Sequence, residues 1–238
     1  MKKILFLLIT LFLAPSSISW GLSLSEIRTE IRFHIKDSNT SRQKYSDTQL
    51  NNLINQGHRE VVNIGYVIVK STSITLTVGA THYAVPTDLM QIQRVTFKNE
   101  NLPETSKVQL DGRFSGSSWL NESGYPSQYY QDATLGEYIS IYPWPGSASS
   151  TGTLKVDYWA QANALSSDSD TPYDGENRMQ SYSDILIWYV VYWIHMRDGL
   201  FEKAKDALQM YETRMQSMFD KLGDKPNYFP SFGGDRSR

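Results

Sequence analysis

The chain of 238 residues contains no cysteine and only four histidines. Without cysteine it can form no disulfide, thiolate metal site or cysteine nucleophile. The net charge is −2, so the basic excess that is typical of nucleic-acid-binding proteins is missing. No phosphate-binding loop, dinucleotide fingerprint, nucleophile elbow or His-Glu-x-x-His motif occurs. The sequence therefore predicts no enzyme, no cofactor, no metal ligand set and no sequence-specific nucleic-acid binding.

Aromatic residues, by contrast, are frequent, with 15 tyrosines and 6 tryptophans. These residues are favoured in strands and at protein interfaces. One interpretation is an exposed aromatic platform for a protein or sugar partner, and the other is packing of strands and proline turns. The candidate interface residues are Trp119, Tyr125, Tyr142, Trp144, Tyr228, Phe229 and Phe232.

The N-terminal residues 1–21 have the parts of a secretory signal peptide. Lys2 and Lys3 precede an apolar run from Ile4 to Ala14, and small residues follow before Trp20. The run is too short to cross a bilayer, which takes about 20 residues, so no stable membrane span is expected. The alternatives are a buried N-terminal arm and a misplaced start.

Helices are predicted at both ends of the remaining chain. Ser23-Leu-Ser-Glu26 and Ser46-Asp-Thr-Gln49 are capping boxes, and apolar residues at helical spacing follow each of them. These patterns predict two helices within residues 23–64. An apolar run from Ile185 to Met196 and an amphipathic stretch after Asp198-Gly199 predict two more within residues 182–222.

The middle of the chain, residues 71–160, is predicted to be β-rich. Alternation from Ile74 to Val78, a turn at Gly79 and the run Tyr83–Val85 predict a hairpin. Further strands are expected at 92–97, 138–142 and 154–159, with a long loop or excursion over 99–127 in which Asp111-Gly112 signals a turn. The predicted fold is therefore α+β, a helical bundle formed by both chain ends with an inserted antiparallel sheet. It forms one domain over residues 22–222, followed by a flexible tail at 223–238.

One acidic cluster, Asp168, Asp170, Asp174 and Glu176, lies in the polar connector between strand and helix. Alternating carboxylates can hold calcium, but Pro172 interrupts the spacing that an EF-hand requires. A solvated linker is the favoured interpretation. His34 and His195 lie near apolar helix faces and are predicted to be packing residues.

Taken together, the motifs resemble those of tailed-phage head-to-tail adaptor (connector) proteins. The resemblance covers roughly residues 22–222, and the order of its motifs is more specific than any single one. The matching segments are Leu22–Arg28, Tyr45–Glu60, Tyr83–Leu89 with Arg94-Val95, Gly124–Pro126, Ile141–Pro145, Leu154–Tyr158, and Arg197–Ala204 with Tyr211.

The resemblance implies a structural protein of the virion that is assembled in the host cytoplasm. Such adaptors form a ring, commonly of twelve copies, between the portal and the tail, and they bind no cofactor and catalyse nothing. Their loops or C-terminal tail reach neighbouring subunits and the portal. The alternative is a secreted or periplasmic binding module with an aromatic ligand platform, if residues 1–21 act as a signal peptide.

Overall fold

In the computed structural model, which describes residues 21–114, 117–131 and 138–222, helices from both chain ends pack beside a central β region. The helices are α1 (Leu24–His34), α2 (Asp47–Gly65), α3 (Lys107–Phe114), α4 (Asp184–Arg197) and α5 (Phe201–Leu222). The strands are β1 (Val69–Leu76), β2 (His82–Ala84), β3 (Leu89–Phe97), β4 (Glu100–Leu102), β5 (Ser123–Gly124), β6 (Gln128–Gln131), β7 (Tyr138–Tyr142), β8 (Trp144–Pro145) and β9 (Gly152–Ala160). The predicted α+β class is confirmed.

Both predicted capping boxes form at the starts of α1 and α2. The Ser23 amide donates to the Glu26 carboxylate at 2.8 Å, and the Ser46 amide donates to the Gln49 side-chain oxygen at 2.9 Å. The serine hydroxyls in turn accept from the backbone amides three residues later. Because these contacts satisfy helix-terminal amides locally, the sequence alone was enough to place both helix starts.

Helix α4 is the centre of the bundle. It packs against α1, α2 and α5, and most of its residues are buried. A helix that is apolar on nearly every side is stable only when other elements surround it. The turn predicted at Asp198-Gly199 ends α4, with Gly199 at φ +72°. No helix in the described part of the chain combines the length and hydropathy that a membrane span needs.

The strands form a four-stranded antiparallel sheet in the order β1-β9-β3-β4 and a three-stranded antiparallel sheet in the order β2-β7-β6. The short strands β5 and β8 pair in parallel. The inner faces of the two larger sheets share one core, which includes Phe97, Ile139 and Leu154. The predicted antiparallel sheet is thus present, with one short parallel pair added.

The predicted hairpin at residues 71–85 is wrong. Strand β1 pairs with β9, from Val69 opposite Trp159 to Leu76 opposite Gly152, whereas β2 pairs with β7. The chain does turn near Gly79, but the Tyr83 hydroxyl occupies the turn and donates to the Ala80 carbonyl at 3.1 Å. The two strands therefore diverge and find partners that are distant in sequence.

The turn predicted at Asp111-Gly112 is also wrong, because both residues lie inside α3. The Ser106 amide donates to the Gln109 side chain and the Gln109 amide donates to the Ser106 hydroxyl, both at 3.2 Å. Ser106-x-x-Gln109 is thus a third capping box, and this local signal outweighs the Asp-Gly pair.

A partly buried polar contact joins the sheet to the connector that leads into the bundle. The Lys70 ammonium on β1 lies 2.9 Å from the Asp88 carboxylate and 2.8 Å from that of Asp174. The Tyr158 hydroxyl on β9 also donates to Asp88, at 3.1 Å. The hydrogen bonds to Lys70 and Tyr158 lower the pKa of Asp88 despite the opposing effect of its burial. The contact fixes the connector against β1.

Candidate functional site

Two of the aromatic interface candidates, Trp119 and Tyr142, are buried in a small core that α3 forms with β6 and β7. They pack with Leu110 and Tyr130, and Trp119 meets the rings of Tyr130 and Tyr142 edge-on. The Trp119 indole donates to Asp111 at 2.6 Å, and the Tyr142 hydroxyl donates to Glu122. Burial, together with Glu122, raises the pKa of Tyr142 to about 12. These contacts favour the packing interpretation for both residues.

The other described candidates, Tyr125 and Trp144, are at least partly exposed, so a partner can contact them. Tyr125 is 44% exposed and meets Phe97 edge-on, with the Lys98 ammonium 5.3 Å from its ring centroid. Trp144 is half-buried on β8. The candidates Tyr228, Phe229 and Phe232 lie outside the described residues, as do the tail 223–238 and all of the predicted signal segment except Gly21.

We expect Trp144→Ala to lower the free energy of unfolding by about 1–2 kcal/mol, since a half-buried indole loses roughly half the apolar contact of a buried one. Tyr125→Ala is the matched variant and should stay within about 0.5 kcal/mol of the parent because its ring is exposed. Urea denaturation of the two variants measures both values. Equal midpoints for Trp144→Ala and the parent would contradict the packing of Trp144.

Several exposed apolar side chains lie around the turn from α4 to α5 and at the nearby end of α1. Phe33 is 70% exposed and Phe201 is 63% exposed. We name this set the tip patch; it consists of Phe33, Trp193, Met196, Leu200 and Phe201. Exposed apolar residues that lie near one another on a protein surface are typical of an interaction surface. This patch was not predicted from the sequence. The apolar character of α4 on nearly every side was a signal that part of its surface would be buried only against a partner.

A cleft of about 280 Å³ lies beside the tip patch between α1 and α5, with α4 as its floor. The His34 ring contacts that of Trp188 in a tilted arrangement, with the ring centroids 4.6 Å apart, and burial lowers the pKa of His195. The ring contact of His34 and the burial of His195 agree with the packing role predicted for both histidines. The cleft extends the apolar surface from the tip along the bundle.

The four acidic residues of the connector serve different local partners. Asp168 pairs with Arg28 at 2.5 Å, Asp174 with Lys70, and Glu176 with Arg178 at 3.0 Å. Asp170 accepts from the backbone amides of Ser166 and Ser167, and these bonds lower the pKa of Asp170. Within the described ranges, no three acidic or histidine side chains are grouped to hold a metal ion. The carboxylates therefore order the connector.

A family model described as "SU10 adaptor protein" matches residues 22–234. No curated protein matches the chain. The family match covers both helical ends, the whole β region and most of the segment that follows α5.

Proposed function

The chain belongs to the SU10 adaptor protein family, and on that premise we propose that it is a structural adaptor subunit that forms a ring between the portal and the tail of a phage. The family supports a virion component of adaptor type and a role that is not enzymatic. The ring, the number of copies and the portal contact are our proposal. The observation that carries it is the family match over residues 22–234.

The position of the tip patch supports a contact between stacked components. Helix α5 extends from the tip at Phe201 to Met218 and Phe219, which pack against Gly65 just before β1. Its 22 residues span roughly 33 Å, so the tip patch lies far from the sheet. Neighbours in a ring meet along their flanks, whereas the component above or below meets an end. We therefore assign the tip patch to docking on the portal or a tail protein.

The alternative, a secreted or periplasmic module with an aromatic platform, has less support. Trp119 and Tyr142 are buried, so only Tyr125 and Trp144 among the described candidates could face a ligand. The two tyrosines and two tryptophans do not form one exposed surface.

Ring formation and portal docking can both be tested, the latter through a substitution in the tip patch. The parent chain should form rings, alone or on the cognate portal. Phe201→Glu should weaken portal binding at least about tenfold, because it places a charge in an apolar contact that is buried in the complex with the portal. Val108→Glu is the matched control, since Val108 is 80% exposed on α3 outside the patch. Mass photometry, negative-stain imaging and portal titration measure these effects.

The stability of both variants should stay within about 0.5 kcal/mol of the parent, because both positions are exposed. Unchanged portal binding by Phe201→Glu would remove the tip patch from the proposal. A chain that stays monomeric and never associates with the portal would overturn the proposed function.

A further inference from the structure

The cleft beside the tip patch has mostly apolar walls. Trp188 and Val191 line it from α4, Ala207 and Met210 from α5, and His34 from α1. Contact between water and apolar walls is unfavourable, so an apolar group that displaces the water binds favourably. The cleft is therefore suited to an apolar group that enters from outside.

The volume of the cleft, about 280 Å³, limits what can enter it. An apolar cavity of about 150 Å³ holds one benzene molecule, and pockets for drug-sized ligands begin at about 300 Å³. One turn of an α-helix, about 10 Å wide and about 5.4 Å long, is larger than the cleft. The volume thus matches a single benzene ring with a substituent.

One buried polar side chain in the cleft lacks a hydrogen bond. His195 lines the cleft from α4 and is 7% exposed. Its Nδ1 is buried and has no hydrogen-bond partner in the part of the chain that the structure describes. Buried polar atoms are paired in the great majority of cases, because leaving one unpaired is unfavourable. A ligand whose polar group reaches the imidazole therefore binds more tightly than the same ligand without that group.

The imidazole of His195 is uncharged at neutral pH. Burial lowers its pKa below 6.5, the Lys203 ammonium lowers it further, and the Asp198 carboxylate opposes them. A neutral imidazole donates from one nitrogen and accepts at the other. A hydroxyl can donate as well as accept, so it can pair with either nitrogen, whereas an indole N–H can only donate. The ligand group that fits both the volume and the imidazole is a phenol.

The cleft and the tip patch are adjacent. Phe33 of the patch meets the His34 ring edge-on, with the ring centroids 5.7 Å apart. Met196 of the patch directly follows His195 in α4. A partner that covers the patch therefore also covers the opening of the cleft, and one of its side chains can enter. Tyrosine provides a phenol and is enriched at protein interfaces.

We propose that this cleft binds the phenol group of a tyrosine from the component that docks on the tip patch. The aromatic ring fills the space between α1 and α5 above α4, and the hydroxyl forms a hydrogen bond with the His195 imidazole. The inference rests on the proposed function and names the residue type that anchors the docking contact.

Titration with a free tyrosine derivative tests the cleft without the partner. N-acetyl-tyrosinamide is the probe, and N-acetyl-phenylalaninamide, which lacks only the hydroxyl, is the matched ligand. NMR of the full chain with ¹³C-labelled methionine methyl groups reports binding through Met210, which lines the cleft, whereas Met90 on β3 is the internal control. We expect both amides to shift the Met210 signal and the tyrosine derivative to bind at least about threefold more tightly.

Substitutions at His195 test the hydrogen bond. His195→Phe keeps a ring of similar shape without nitrogen and should bind the two amides equally. His195→Gln keeps a polar side chain and should retain part of the preference for the tyrosine derivative. His82→Phe, at an exposed position on β2 outside the cleft, is the matched control and should retain the full preference.

Competition with the cognate portal tests the source of the phenol. We expect N-acetyl-tyrosinamide to weaken portal binding by the parent chain. The His195→Phe chain should bind the portal at least about threefold more weakly than the His82→Phe chain. Unchanged portal binding in the presence of saturating amide would assign the cleft to a free phenolic compound and would overturn the tyrosine anchor.

Equal affinities of the two amides for the parent chain, or no shift of the Met210 signal with either, would overturn the assignment of the cleft. Portal binding by such a chain would still leave the proposed function standing. A chain that never binds the portal would overturn both the proposed function and the protein source of the phenol, whatever the amide titration shows.

Discussion

Replacing Asp37 with alanine is expected to lower the free energy of unfolding by about 3–5 kcal/mol, because it breaks the buried ion pair between Asp37 and Arg32. Asp37 and Arg32 are each 8% exposed, and the Arg32 guanidinium lies 3.0 Å from the Asp37 carboxylate. Asp37 also accepts from the backbone amides of Lys44 at 2.7 Å and Tyr45 at 3.1 Å. One carboxylate therefore orders the whole loop between α1 and α2.

The alanine variant leaves Arg32 with Asp47 alone, whose side chain is 62% exposed and binds Arg32 at 2.6 Å. Asp37→Asn is the matched variant; it keeps a side-chain acceptor for the loop amides and should recover part of the loss. Asp206→Ala, at an exposed position on α5, should change stability by less than about 0.5 kcal/mol. Urea denaturation of the three variants measures these changes in the free energy of unfolding. A loss below about 1 kcal/mol for Asp37→Ala would contradict the importance of the buried Arg32–Asp37 pair.

Acid should destabilise the fold through His58 by about 3 kcal/mol between pH 6.5 and 4. Burial lowers the pKa of His58 from 6.5 to about 4, against smaller opposing influences from the Asp174 carboxylate and the Asn163 backbone. The unfolded chain binds a proton on this residue near pH 6.5 and the folded chain does not. The contribution of His58 to the free energy of unfolding is therefore complete above pH 6.5 and is lost as the pH falls toward 4.

Protonation of His58 breaks one particular hydrogen bond. The Tyr173 amide donates to Nε2 of His58 at 2.8 Å, which requires that nitrogen to be unprotonated. Tyr173 is fully buried and has a φ of +60°, an unfavourable conformation for a bulky residue, so its surroundings must hold it in place. Losing this bond would release the connector between β9 and α4.

His58→Gln separates this effect from other titrations, because its side-chain oxygen can still accept from Tyr173 and does not titrate. Subtracting its pH profile from that of the parent removes the contribution of His195, whose pKa is also lowered by burial. The same subtraction removes the carboxylates with lowered pKa values, such as Asp47 and Asp157, which act at lower pH. Parallel profiles of the two proteins between pH 7 and 4 would contradict the role of His58.

The parts of the fold that local contacts determine could be predicted from the sequence. The capping boxes at Ser23 and Ser46 and the turn at Gly199 depend on residues within a few positions of each other, and all three were predicted correctly. The pairing of β1 with β9 joins residues that are far apart in the chain. The alternation in β1 indicates that a strand forms but not which strand pairs with it.

For the candidate site too, the sequence indicates the residue types but not their surroundings in the folded chain. Composition indicated that aromatic residues matter, but exposure is a property of the folded chain, and Trp119 lies buried while Tyr125 does not. The tip patch takes its residues from α1, α4, the turn after α4 and α5, so no single segment of the sequence contains its pattern. The position of β1 at one end of the four-stranded sheet could not be predicted either, because it depends on which strands pair with each other.

The pairing of β1 with β9 also bears on the order in which the chain can fold. Helices α2 and α4 must meet although the whole β region separates them in sequence. Once Val69 is held opposite Trp159, the loop that remains between the helices has roughly a quarter of its original length, which lowers the entropy cost of closing it by about 1 kcal/mol. An inserted sheet that assembles first thus brings the two ends of the chain together before the bundle has formed a single interhelical contact.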